Sequence, residues 1–179
     1  MKKTVLPILF ILSLMACHDK NEPVSAGKGY TPDKIKLESD VMTPEVLWSF
    51  GRIGNVNVSP DGTKAVYDLT YFNKEEDRSY TDLYVMSLAD GKSIRLTNTD
   101  YNESDANWTP DGRYITYLAQ GQLWEMNPDG TNPRQITNVK DGINGYVYAP
   151  DMSKIVYLKD VRLEPTVQDL YPDLPKAKA

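Results

Sequence analysis

The sequence is poor in the residues that most enzymes use for chemistry. It has one cysteine, Cys17, and one histidine, His18, in 179 residues. A lone cysteine excludes an internal disulfide, and one residue of each type leaves no paired ligand spacing for a zinc site. A serine triad needs an imidazole held against its nucleophile and oriented by an acid. No Gly-x-Ser-x-Gly turn occurs anywhere in the chain. No glycine-rich loop follows a strand and opens a helix, which removes that class of phosphate site. Basic charge is not in excess either. The net charge is −5, and Lys2 and Lys3 lie in the extreme N-terminus. A chain without a basic stripe does not match the phosphates of nucleic acid. These absences predict no catalytic residue, no cofactor and no metal site within these residues.

The one apolar run, Val5 to Met15, is too short to span a bilayer, which takes about 20 residues. It follows Lys2-Lys3 and has the length of a signal-peptide core. It ends Leu14-Met15-Ala16-Cys17, which resembles a bacterial lipobox. The small Ala16 would let a peptidase grip the chain, and the Cys17 thiol would receive the lipid. Residues 1–17 are therefore read as a lipoprotein signal with lipidation at Cys17. The acyl chains would hold the protein on an envelope membrane, either the outer membrane or a periplasmic face, at about 0.8 kcal/mol per buried CH₂. His18-Asp19-Lys20-Asn21 opens a polar stretch, and residues 18–40 read as a tether. His18 on such a tether cannot serve a triad.

What is present is tyrosine, 12 copies against 3 Phe, and turns rich in Pro, Asp and Gly. Tyrosine suits strands packed on one side and wet on the other. Val58-Ser59-Pro60-Asp61-Gly62-Thr63-Lys64-Ala65-Val66-Tyr67 recurs as Trp108-Thr109-Pro110-Asp111-Gly112-Arg113-Tyr114-Ile115-Thr116-Tyr117. A third copy runs Tyr148-Ala149-Pro150-Asp151-Met152-Ser153-Lys154-Ile155-Val156-Tyr157. Asp82-Leu83-Tyr84-Val85-Met86, Asp90-Gly91 and Leu96-Thr97-Asn98 are matched by Gln122-Leu123-Trp124-Glu125-Met126, Asp129-Gly130 and Ile136-Thr137-Asn138. Pro60, Pro110 and Pro150 are spaced by 50 and 40 residues.

Each unit converts into four short antiparallel strands, with proline and glycine setting the turns. Four strands in about 40 residues is a propeller blade. The fold class is all-β, a partial β-propeller of about two and a half blades, over residues 41–160. Residues 161–179 carry three prolines without alternation and read as a truncated continuation. The longer first unit places an extended, solvated hairpin at Tyr71 to Thr81, around Lys74-Glu75-Glu76-Asp77-Arg78. Thr43-Pro44-Glu45 opens a short helix: Thr43 caps it, Pro44 takes the first helical position, and Glu45 favours the positive end of the dipole. Leu47, Trp48 and Phe50 would pack it on the propeller rim.

Asp61, Asp111 and Asp151 recur with the turns and are assigned to turn geometry. Trp108 and Trp124 lie on strands and are assigned to the core. Asp100-Tyr101-Asn102-Glu103-Ser104-Asp105 is the richest polar cluster. It reads as an inter-blade loop whose oxygens could also meet a substrate or a hard cation.

The Ser-Pro-Asp-Gly turn, the following strand and the later Leu-Thr-Asn resemble the TolB-type propeller repeat. Thr43 to Leu47, leading through Arg52-Ile53-Gly54-Asn55-Val56 to the first turn, is similar to the opening of dipeptidyl-peptidase V-like and acylaminoacyl-peptidase-like members of the prolyl oligopeptidase family. Asp169-Leu170-Tyr171-Pro172-Asp173-Leu174-Pro175 is similar to the same group. This resemblance implies a seven- or eight-bladed propeller capping a C-terminal α/β-hydrolase domain with a Ser-Asp-His triad. It also implies short peptides as substrates. The chain would then be the propeller part of a serine exopeptidase or oligopeptidase, with the hydrolase domain as its intramolecular partner. A TolB-like, non-enzymatic envelope module that binds protein or glycan is the alternative.

Overall fold

The computed structural model describes residues 29–32, 35–37, 40–162, 164–165 and 167–174. Cys17, the signal segment and His18 lie outside the described residues. Among the described residues no helix is long and apolar enough to cross a membrane.

Among the described residues, ten strands form three antiparallel sheets. Blade one comprises β1 (Arg52–Val58), β2 (Lys64–Asn73), β3 (Arg78–Ser87) and β4 (Ser93–Arg95), paired in chain order. Blade two repeats this as β5 (Glu103–Trp108), β6 (Ile115–Ala119), β7 (Gln122–Met126) and β8 (Arg134–Gln135). β9 (Gly145–Tyr148) and β10 (Ile155–Leu158) form the two-stranded third sheet. The all-β propeller architecture is thus present, with four-stranded blades at the repeats.

The turn motif shows why its residues are needed. Gly62 sits at φ +70° and donates its N–H to the Ser59 carbonyl at 2.8 Å. Left-handed backbone of this kind favours glycine. The Ser59 hydroxyl donates to Asp61 Oδ1 (2.6 Å) and accepts from the Lys64 N–H (3.0 Å), while Asp61 also accepts from the Thr63 N–H. Thr109 and Asp111 reproduce this set around Gly112. The third copy is degenerate: Ala149 has no hydroxyl, and Met152 occupies the left-handed position at φ +58°. Asp151 still accepts from the Ser153 N–H at 3.0 Å. All three aspartates act in turn geometry.

The Leu-Thr-Asn element has an equally local cause. β4 and β8 are short, and a threonine hydroxyl after each continues the ladder. Thr97 Oγ1 accepts the Leu83 N–H and Thr137 Oγ1 accepts the Leu123 N–H, both at 2.9 Å. The two blades differ in their central hairpin. β6 and β7 meet through Gln120-Gly121, both at positive φ, as a tight two-residue hairpin turn requires. β2 and β3 are ten residues each, stay paired out to Asn73 and Arg78, and close through exposed Lys74–Asp77.

α1 (Pro44–Ser49) starts at Thr43, whose Oγ1 accepts the Val46 N–H at 3.3 Å, with Pro44 and Glu45 in the first turn. Trp48 packs edge-on against Phe72 at 5.7 Å, and the Arg52 guanidinium lies 4.5 Å from the Phe72 ring centroid. The helix rests on the long hairpin through Trp48 alone among its expected contacts; Leu47 and Phe50 remain about half exposed. The tail contains a short helix, α2 (Val167–Leu170), where the sequence suggested no regular structure.

The core is shared between blades. Val66 and Leu83 from blade one meet Ala106, Ile115, Tyr117 and Met126 from blade two, all buried. Trp108 and Trp124 pack against this cluster and are partly rather than wholly buried. Each satisfies its indole N–H at 3.2 Å, Trp108 with the Asn57 carbonyl and Trp124 with the Ala119 carbonyl.

Candidate functional site

The polar groups that the strands bring together lie at the junction of blades one and two. β1 and β5 each carry a register shift, between Ile53 and Val56 and between Ser104 and Asn107. Within the second of these, Asp105 takes φ +55°. The N–H groups of Asp105 and Ala106, which lie in the gap of the β5–β6 pairing, turn towards blade one, where the Asp68 carboxylate accepts them at 3.0 and 3.3 Å. Asn55 and Asn57 donate to the Ala106 carbonyl at 3.1 and 2.8 Å. Burial raises the Asp68 pKa, partly opposed by these backbone donors.

Blade one carries a second buried acidic group, on the opposite face of the sheet. Asp82, on β3, is buried and accepts from Arg95 Nη2 on β4 at 2.6 Å; burial nevertheless raises its pKa. Glu103 opens β5 and is 2% exposed. Its Oε1 accepts a hydrogen bond from the Thr99 hydroxyl, while its Oε2 has no hydrogen-bond partner among the described residues. Burial, reinforced by the Asp82 charge, pushes the Glu103 pKa up to about 7.

The polar cluster at 100–105 is therefore divided. Asp100, Tyr101 and Asn102 form the connecting loop: the Asp100 carbonyl accepts from Arg78 Nη2 and Asn102 Oδ1 accepts the Thr81 N–H. Glu103, Ser104 and Asp105 belong to a strand, which corrects their assignment to a loop. Pairing of Glu103 with Ala119 and of Ser104 with Leu118 draws them into the junction. Among the described residues no group of three or more His, Cys, Asp or Glu is arranged to hold a metal ion. The role of Asp68 was missed from sequence. Its one signal was a carboxylate in a strand whose equivalents in the other repeats are Leu118 and Leu158.

Leu96, Tyr101, Glu103, Tyr117, Trp124 and Met126 are among the residues lining a cavity of about 290 Å³ at this junction. Tyr101 is exposed, whereas Glu103, Tyr117 and Met126 are buried, so the cleft runs inwards from Tyr101.

These blades and their shared core define the described part of the chain as a segment of a β-propeller. Its sequence is homologous to dipeptidyl-peptidase 5 of Porphyromonas endodontalis, with 34% identity over 183 residues that cover 98% of this chain and 26% of the relative. Dipeptidyl-peptidase 5 of Porphyromonas gingivalis is 30% identical, covering 93% of this chain and 24% of the relative. The chain thus spans about a quarter of the length of these relatives. In structure, it is similar to uncomplexed acylaminoacyl peptidase of Pyrococcus horikoshii, with a TM-score of 0.56 and 18% identity, covering 67% of this chain and 19% of that one. That likeness concerns the propeller fold. No protein-family model matches the chain.

Proposed function

We propose that this chain is the propeller part of a serine exopeptidase or oligopeptidase that removes short N-terminal pieces, dipeptides foremost, from peptides. The observation that carries this reading is the match to dipeptidyl-peptidase 5 along almost the whole chain. In the whole protein a separate α/β-hydrolase domain supplies the chemistry. Its serine attacks the peptide carbonyl, a histidine takes and returns the proton, and backbone amides hold the oxyanion. The blades contribute selectivity, because a narrow propeller channel admits short peptides and excludes folded proteins. Cys17 carries lipid and holds the enzyme at the cell envelope, where oligopeptides are its substrates.

The test is made on the full-length protein. A serine-directed fluorophosphonate should label it, and dipeptidyl fluorogenic substrates should be hydrolysed with the blocked N-acetyl forms inert. Absence of labelling overturns the serine-peptidase reading. Hydrolysis of the blocked forms alone overturns dipeptide release. Intact mass of the membrane-bound form should place the lipid on Cys17, and a Cys17→Ala variant that stays on the membrane overturns the anchor.

A further inference from the structure

We propose that the cavity beside Glu103 binds a small organic ammonium ion, a protonated primary amine on an apolar stem. Three features point there. The first is Glu103 Oε2, a buried acceptor with no hydrogen-bond partner among the described residues; the Thr97 hydroxyl, which also faces this carboxyl, lies 3.4 Å from Asp82 Oδ1 and donates there. A carboxylate oxygen left in this state is costly unless a donor arrives. Arg95 Nη2 donates to Asp82 and Nη1 to Thr31 Oγ1 at 3.0 Å, and its buried Nε, which has no hydrogen-bond partner among the described residues, does not reach Glu103.

The second feature is the wall. Tyr101, Tyr117 and Trp124 line the cavity with Leu96, Ala119 and Met126. Aromatic faces attract organic cations, and aliphatic groups bury an apolar stem. The third is charge count. Glu103 is the one carboxylate among the lining residues, which suits a single positive charge. Thr97, Asn98, Thr99 and Gln120 add neutral oxygens to the lining, but a divalent metal needs more than one anionic ligand to balance its charge and finds one carboxylate here.

The ionisable groups facing Glu103 are Asp82 from β3 and Tyr117 from β6. Burial raises the pKa of both Glu103 and Tyr117, with the Asp82 charge adding to the first and the Glu103 charge to the second. An ammonium bound at Oε2 reverses this by stabilising the ionised carboxylate. Binding below neutral pH therefore releases a proton, and affinity rises as Glu103 ionises.

The probes are 2-phenylethylammonium and its neutral counterpart 2-phenylethanol, titrated into the full-length protein by calorimetry and tryptophan emission, since Trp124 lines the cavity. The expected result is saturation by the amine at about millimolar concentration, as befits a ligand of this size. Affinity should be about tenfold higher at pH 8 than at pH 6, following ionisation at about pH 7. Calorimetry at pH 6.5 in two buffers of different ionisation heat should register proton release. Glu103→Gln, a close isostere, should still unfold in a cooperative thermal transition and lose amine binding at both pH values. Equal binding of the alcohol, pH-independent amine binding by the unaltered protein, or undiminished binding by a folded Glu103→Gln overturns the proposal. So does the absence of any response to the amine up to about 50 mM, beyond the range such a site can reach.

Discussion

The two blade junctions use the same backbone repeat and join their neighbours by different chemistry. At the first, Asp68 accepts two backbone N–H groups of blade two, and Asn55 and Asn57 return two bonds to the Ala106 carbonyl. At the second, a single phenol bridges. The Tyr146 hydroxyl lies 2.8 Å from Thr116 Oγ1 and 3.0 Å from the Asp105 carbonyl. The backbones also approach closely there: a Cβ on Gly142 would lie 3.1 Å from the Gly121 carbonyl oxygen. The register explains the difference. Asn57, Val66 and Asp68 in blade one stand where blade two has Asn107, Thr116 and Leu118 and the third sheet has Val147, Val156 and Leu158. The turn motif is what repeats, whereas the junction is set by strand positions outside it. A propeller can thus keep its blade geometry while each interface carries its own polar or apolar seal.

The sharpest way to break this contrast is to give the first junction the residue of the others. Asp68→Leu should destabilise the protein by about 3 kcal/mol, because the Asp105 and Ala106 N–H groups lose their acceptors. Denaturant midpoints at constant slope would measure it. A loss below about 1 kcal/mol would mean that water replaces the carboxylate and that the clasp holds nothing.

The acid at the first junction also predicts a pH dependence. Burial raises the folded pKa of Glu103 from 4.5 to about 7, so the folded state keeps a proton that the unfolded state gives up. The stabilising contribution is full below pH 4.5 and is lost as pH rises to about 7. The raised pKa values of Asp68 and Asp82 act in the same direction. Glu103 is almost wholly buried, and the expected loss across the window is about 3 kcal/mol. Glu103→Gln should flatten the profile between pH 5 and pH 7 when unfolding is followed at constant ionic strength. An unchanged slope would place the titrating group elsewhere.

At the second junction Tyr146→Phe removes one hydroxyl and keeps the ring. Thr116 Oγ1 still donates to the Asn107 carbonyl at 3.2 Å, so one hydrogen-bond hub is lost and no buried charge is stranded. The expected cost is about 1 kcal/mol. The effect should add to that of Asp68→Leu if the junctions are independent; both meet the Asp105–Ala106 segment, and a coupling above about 0.5 kcal/mol would show that they act as one unit.

The difference between the junctions follows from what a sequence repeat can and cannot convey. The blades were legible because their signals are local: Ser59, Asp61 and Gly62 bond within five residues of one another, and Thr97 reaches one neighbouring strand. Thr43 and Pro44 marked the helix for the same reason. Asp68 and Glu103 were illegible because their partners are distant or missing. Asp68 meets backbone 37 and 38 residues away, and that contact exists because Asp105 takes a left-handed conformation that nothing in its residue type demands. Glu103 is defined by burial between blades, whereas its neighbours Asn102 and Asp100 made it look like part of a wet loop. The tail helix was missed because four residues carry no period to read.

The third turn offers the finest test, since it keeps the motif's shape while losing two of its residues. Met152 takes the place held by Gly62 and Gly112 and adopts the same positive φ, where an L side chain costs about 1 kcal/mol. The Met152 N–H still donates to the Ala149 carbonyl at 2.8 Å, so the turn forms despite that cost. Met152→Gly should relieve the strain, offset in part by the greater freedom of glycine in the unfolded chain. Met152 is partly buried, so little apolar contact is lost. The balance is a gain of about 0.5 kcal/mol, read as a rise in the denaturant midpoint. The same substitution in reverse, Gly112→Met, should cost more. A Cβ there would lie 3.4 Å from Pro60 Cδ, where neighbouring turns crowd together. If both exchanges shift stability by the same amount, backbone conformation alone sets the preference for glycine, and the contact between adjacent turns contributes nothing to it.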